Sequence, residues 1–141
     1  VNIYFSCSLT GGRKDEEIYA LLVNHLEDGR HEVPTAHLAH PEVMSVERTV
    51  DPNEVYQRDI DWLQSCDVVV AEVSTPSHGV GYEIAYALCL HKPVLCLYAQ
   101  DAAVSKMITG NNSTGLVVSS YQDHQQALEI LDGFLAHVSH G

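Results

Sequence analysis

The chain has 141 residues, with 7 Lys and Arg against 19 Asp and Glu and a formal net charge of -12. That length suits one compact domain, residues 1 to 141, with room for a real core. The acidity, with no basic stripe, argues against a sequence-independent nucleic-acid binder, and no apolar run approaches the roughly 20 residues that span a bilayer, so neither nucleic acid nor membrane is expected as a partner.

Residues 2 to 6 (NIYFS) read as a short first strand, followed by the small, polar, glycine-bearing CSLTGGR. Ile18, Leu21, Leu22 and Leu26 then recur at helical spacing over residues 14 to 28, with Gly29 as a stop. HEVPTA at 31 to 36 is a weak second strand, because Pro34 limits it to an edge or an early end. Residues 37 to 49 read mainly as loop. Pro52 opens a helix running to about Ser65, and DVVVAEV at 67 to 73 is a fully buried strand at the sheet centre. STPSHG turns into a helix from about Gly79 to Leu90, PVLCLYA at 93 to 99 and GLVVSS at 115 to 120 are further strands, and a helix from Gln122 to about His137 closes the chain. Ala127, Ile130, Leu131, Phe134 and Leu135 share one face of that helix.

Strands alternating with helices predict an α/β fold: a doubly wound, five-stranded parallel sheet of flavodoxin-like or Rossmann-like type. Ligands of such sheets bind beyond the carboxyl ends of the strands, which selects the loops at 6 to 13, 37 to 50 and 74 to 82. Cys7, Cys66, Cys89 and Cys96 sit singly, with no CxxC pair and no recognisable secretory leader, so a reduced, cytoplasmic protein is expected. Nine histidines form no HxH, HxxxH or HExxH pattern, and no metal is expected.

Two acids stand out. Glu83 follows GVGY in what reads as the first turn of its helix, where the dipole keeps a carboxylate ionised. It is either a helix-stabilising acid or a nucleophile; the apolar IAYALCL behind it leaves few solvated places for an ordinary Glu. Asp59 shares a stripe with Val55, Trp62, Leu63 and Cys66, whereas Asp61 points the other way, so Asp59 is an acid on a buried face. It is either a partner for buried polar groups or a functional carboxylate. Tyr4 lies near the carboxyl end of the first strand, as core or as a hydroxyl reaching the site. Glu72 in the central strand competes with Glu83. Ser8, Thr10, Gly11, Gly12 and Arg13 make a candidate phosphate cradle of low motif specificity, and Ser77 and Gly79 add donors at a helix start. His37 lines a base pocket or is a solvated loop residue.

The ordered set YFxxS-x-x-GGR at 4 to 13, RDIDWLQSCDVVVAEVS at 58 to 74, PSHGVGYEIAYAL at 76 to 88, KPVLCLY at 92 to 98 and VSKMITG at 104 to 110 resembles the 2'-deoxynucleoside 5'-phosphate N-hydrolases of the wider nucleoside 2-deoxyribosyltransferase family. The resemblance implies Glu83 as nucleophile, Asp59 as the carboxylate that assists leaving-group departure and positions the sugar, and Tyr4 as the hydroxyl that orients Glu83. It implies Ser8 and Ser77 as ligands of a 5'-phosphate and Ser105 as a phosphate ligand crossing between the subunits of a homodimer. No cofactor is implied. The chain departs from those hydrolases in carrying Thr10 where they have Arg and Cys7 where they have Gly. The expected activity is hydrolysis of the N-glycosidic bond of a deoxynucleoside monophosphate; the alternatives are a deoxyribosyltransferase acting on unphosphorylated nucleosides and a non-catalytic nucleotide-binding module.

Overall fold

A computed structural model describes residues 1–9, 15–40 and 47–140. Four parallel strands, β1 (Ile3–Ser6), β2 (Val68–Glu72), β3 (Val94–Ala99) and β4 (Leu116–Tyr121), form one sheet in that order. The connections carry α1 (Glu16–Asp28), α2 (Pro52–Ser65), α3 (His78–Cys89) and the single turn α4 (Lys106–Thr109), and α5 (His124–His140) follows β4. The short α4 is not signalled by the sequence periodicity.

The expected second strand is a correction. Only Glu32 of HEVPTA pairs, as an isolated bridge to Asn2, with Ile3 N donating to Glu32 O at 2.7 Å and Glu32 N to Val1 O at 3.0 Å. Pro34 has no amide to continue the ladder, and the chain turns into a 3-10 helix at Ala36–Ala39 within the segment read as loop. The next free amide of β1, on Phe5, is satisfied by the buried Thr35 hydroxyl at 2.9 Å. With this rudiment counted outside β1, the strand order is the flavodoxin-like one, and helices cover both faces.

Successive strand residues point to opposite faces, which divides the core in two. Ile3, Phe5, Val68, Val70, Leu95 and Leu97 pack against Leu22 and Leu26 of α1 and Leu131 of α5. Tyr4, Val69, Ala71 and Cys96 pack against Leu63 of α2 and Ile84 and Ala87 of α3. Asp51 caps α2, its carboxylate accepting from Asn53 N at 2.8 Å, and Pro52 occupies the first turn, where a missing amide costs nothing. The helix α1 ends at Asp28 with Gly29 as its cap, where the sequence predicts the stop, and Arg30 just beyond it takes the left-handed region, with φ 66°.

Glu72 belongs to this framework and not to the site. It is fully buried and faces the α1 and α5 side, where Ser74 N donates to Oε1 at 2.6 Å, Ser74 Oγ to Oε2 at 3.0 Å, and the Tyr121 hydroxyl also to Oε2. Ser74 Oγ in turn accepts from Ala99 N at 2.8 Å, so one carboxylate ties together the ends of β2, β3 and β4. Burial pushes its pKa upward while the Tyr121 and Ser74 donors pull it down. Glu72→Ala strands those donors and is expected to cost on the order of 3 kcal/mol in urea unfolding. A loss below about 1 kcal/mol would show that the network contributes little.

Candidate active site

The carboxyl edge of the sheet is where β1, the α2 face and the start of α3 meet. Ser77 caps α3, accepting from Val80 N at 3.3 Å. Glu83 therefore stands in the second turn of α3 and not the first, beyond the reach of most of the helix dipole. Its carboxylate is held instead by the adjacent strand. The Tyr4 hydroxyl donates to Oε2 and the Ser6 hydroxyl to Oε1 at 3.3 Å.

Tyr4 and Ser6 are two residues apart in β1 and share its α2 and α3 face. The sequence reading singled out Tyr4 and missed Ser6, although the period of two that directs one directs the other. No cation bonds Glu83 among the described residues, and burial pushes its pKa up to about 8. The expectation that its helix position keeps it ionised is thus corrected: desolvation dominates, and two neutral hydroxyls are what favour the charged form.

Asp59 lies on the inward stripe of α2 as the spacing predicts, beside the buried Leu63 and Cys66, while Asp61 is exposed and accepts from Gln57 Nε2 at 2.8 Å. Burial raises the pKa of Asp59, and the hydrogen bond and charge of Arg58 lower it. Asp59 and Glu83 both line one cavity of about 530 Å³, with Val50, Val55, Tyr56 and Tyr82 among its walls. Gly79 lines it too, and a Cβ added there would lie 3.8 Å from both Glu83 Oε1 and Ser77 Oγ. The bare backbone of Gly79 thus separates the helix cap from the Glu83 carboxylate.

The other expected residues distribute unevenly. Ser8 is buried just beyond β1, with its backbone bonded to the Tyr19 side chain. Thr10, Gly11, Gly12 and Arg13 lie outside the described residues. His37 packs edge-on against Trp62, with ring centroids 5.8 Å apart, and is not among the residues lining the cavity. Ser105 caps α4, accepting from Met107 N at 3.1 Å, and lines with Ser77 a second cavity of about 570 Å³ on the far side of α3. Among the described residues no three His, Cys, Asp or Glu side chains converge as a metal site would need.

The titration of Glu83 has a consequence for stability. Its folded value of about 8 exceeds the ordinary 4.5, so the folded state holds the proton more tightly, and its contribution is complete below pH 4.5 and lost as pH rises through 8. Glu83→Gln removes that loss. Its Tm should match wild type near pH 4.5 and exceed it by about 5 °C or more at pH 9. A constant difference across this range in thermal scans would mean that Glu83 ionises as an ordinary solvated acid.

The family model for nucleoside 2-deoxyribosyltransferase matches residues 3–128. A Methanosarcina mazei protein, provisionally named 2'-deoxynucleoside 5'-phosphate N-hydrolase 1, is 42% identical over 134 residues, covering 95% of this chain and 83% of its own. The 5-hydroxymethyl-dUMP N-hydrolase of Rattus norvegicus is 41% identical over 114 residues, covering 77% of this chain and 69% of its own. Among solved structures, the Clostridium botulinum CMP N-glycosidase superposes with a TM-score of 0.69 at 19% identity, over 94% of this chain and 99% of its own, which shows a shared fold. Sequence match over most of the length and agreement in fold together establish that the chain belongs to the nucleoside 2-deoxyribosyltransferase family.

Proposed function

We propose that the protein hydrolyses the N-glycosidic bond of 2'-deoxynucleoside 5'-monophosphates, releasing free base and 2-deoxyribose 5-phosphate. The observation that carries this reading is the meeting of Glu83 and Asp59 in one cavity, with the Tyr4 and Ser6 hydroxyls fixing both oxygens of Glu83. The names of the Methanosarcina mazei and rat relatives support the reaction and the phosphorylated substrate.

In this mechanism Glu83, ionised, attacks the anomeric carbon from the face opposite the base. The glycosidic C–N bond breaks and its electron pair leaves with the base, which takes up a proton. Asp59 orients the sugar and stabilises the oxocarbenium-like transition state. Water then attacks the anomeric carbon of the glycosyl-enzyme, the ester bond to Glu83 breaks and returns it as a carboxylate, and the proton lost by the water balances the one taken up by the base, with net retention. Tyr4, as a donor, holds Glu83 in line. The phosphate is assigned to the amides and hydroxyls at the helix starts after β1 and β2: Ser8, Thr10, Gly11, Gly12 and Arg13 on one side, Ser77 and Gly79 on the other. His37 is assigned to the base end through Trp62.

Glu83→Gln is expected to lose essentially all release of free base while still binding nucleotide, and wild type to favour a deoxynucleoside monophosphate over its nucleoside by about a hundredfold in kcat/KM. Chromatography of the products reads both. A variant within tenfold of wild type would remove Glu83 from the mechanism, and base exchange faster than hydrolysis would make the enzyme a transferase.

The homodimer belongs to the same proposal. One side of α3 is uncovered in the single chain: Tyr82 is 52% exposed, and Ala85 and Leu88 face with Met107, 82% exposed, onto the cavity lined by Ser105. An apolar surface of this kind fits a second copy whose Ser105 completes the phosphate site. Sedimentation should give a dimer, and Ala85→Arg a folded monomer with at least about tenfold lower kcat/KM. A fully active wild-type monomer would contradict the composite site.

A further inference from the structure

A cation is bonded to Asp59, and the mechanism above does not use it. Arg58 Nε donates to Asp59 Oδ1 at 3.0 Å and Nη1 to Glu47 Oε1 at 2.9 Å, and the guanidinium carbon lies 5.0 Å from the centre of the Trp62 ring. His37 packs against the same ring and places Nε2 3.6 Å from Glu47 Oε1. Neighbouring residues on a helix do not face one another, so the Arg58 side chain reaches Asp59 only by folding back. Glu47 and the Trp62 face hold it in that position.

Stability alone does not account for the arrangement. Arg58 Nη2 is buried with no hydrogen-bond partner among the described residues, and an unmet charged donor costs free energy. The geometry does fix the direction of Asp59. Oδ1 is engaged by Arg58, and no bond to Oδ2 occurs among the described residues, while Asp59 itself lines the cavity. The charged groups around it are Arg58 on its own helix, Glu47 and His37 from the preceding segment, and Arg48 and Glu83 across the cavity. The charge of Glu47 raises the pKa of Asp59, and Arg58, which bonds both carboxylates, and His37 act against it.

We propose that Arg58 is a positioning residue for the glycosidic reaction: it ties back one oxygen of Asp59 and leaves the other as an anionic acceptor in the cavity, with Glu47 and Trp62 fixing the guanidinium. The role in reaction rests on the function proposed above; the hold on Asp59 does not. The two site carboxylates are thereby made unequal, one backed by a cation and the other, among the described residues, by hydroxyls alone. An ionised Asp59 can accept from a sugar hydroxyl and face a developing positive charge, but it has no proton to donate to the leaving base.

The test begins without substrate. The Asp59 side-chain carboxyl carbon is followed by NMR across pH in wild type, Arg58→Gln and Arg58→Lys, with Arg58→Met, which keeps the stem over Trp62, replacing the Gln variant should that fail to fold. The midpoint should rise by at least about one pH unit in Arg58→Gln, a tenfold change in proton affinity, and return most of the way in Arg58→Lys. An unmoved midpoint overturns the proposal whether or not the protein cleaves nucleotides. Release of free base then tests the role in reaction: Arg58→Gln should lose severalfold more kcat/KM about one pH unit below its own Asp59 midpoint than at pH 9, and this excess should vanish in an Asp59→Asn background. A uniform loss at every pH would overturn the positioning role. No free base from wild type would overturn the hydrolase reading instead, leaving the midpoint to decide the hold of Arg58 on Asp59.

Discussion

The feature on which the site depends is a half-buried carboxylate that no cation bonds among the described residues. Glu83 is desolvated enough to titrate near 8, and what it receives in return is two neutral hydroxyls from a single strand. Neither donor carries charge, so the carboxylate is neither locked as an ion nor committed to its proton. A group whose two protonation states lie close in free energy at neutral pH is suited to chemistry that forms and then releases a covalent bond. The rest of the fold serves this contact. Tyr4 and Ser6 reach Glu83 because β1 presents every second residue to α3, and the Ser77 cap fixes where α3 begins and hence where its second turn lies.

Glu72 shows what a buried glutamate looks like when the protein uses it as framework. It ends the neighbouring strand at the same sheet edge but faces the opposite side, and it accepts from a backbone amide, a serine and a tyrosine. Both glutamates have raised pKa values through burial, so the shift alone does not separate them. Their surroundings do. Glu72 is sealed at 0% exposure among donors from Ser74 and Tyr121, whereas Glu83 opens onto a cavity that also holds Asp59.

Most of the architecture was legible because it rests on periodicity. The continuous apolar run at β2, the inward stripe of α2 and the direction of Asp59 against Asp61 follow from spacing alone. The second strand was not, since whether Pro34 ends a strand or prevents one depends on Thr35 taking over a backbone acceptor's place, a tertiary contact. The first-turn dipole that the sequence suggests for Glu83 acts little on it, because the residue stands one turn further along the helix. Ser6 and Arg58 went unnoticed because their partners are distant in sequence or reached by a folded-back side chain, which no local pattern records.

The apolar character of α3 also reads differently once the chain is folded. In sequence, IAYALCL suggests a helix enclosed on all sides; in the structure Ile84 and Ala87 are enclosed while Tyr82, Ala85 and Cys89 are not. The helix therefore has two apolar sides, one facing the sheet and one facing outward, and Tyr82 lines the cavities on both flanks. Ser77 and Glu83 are carried on this same rigid element. Contact with a second copy along the outer side would bear on the helix that sets the distance between an anion at its cap and the carboxylate one turn further on. In a chain with a net charge of -12 the overall field opposes the approach of an anion, so any anion affinity rests on local donors such as those at this helix cap.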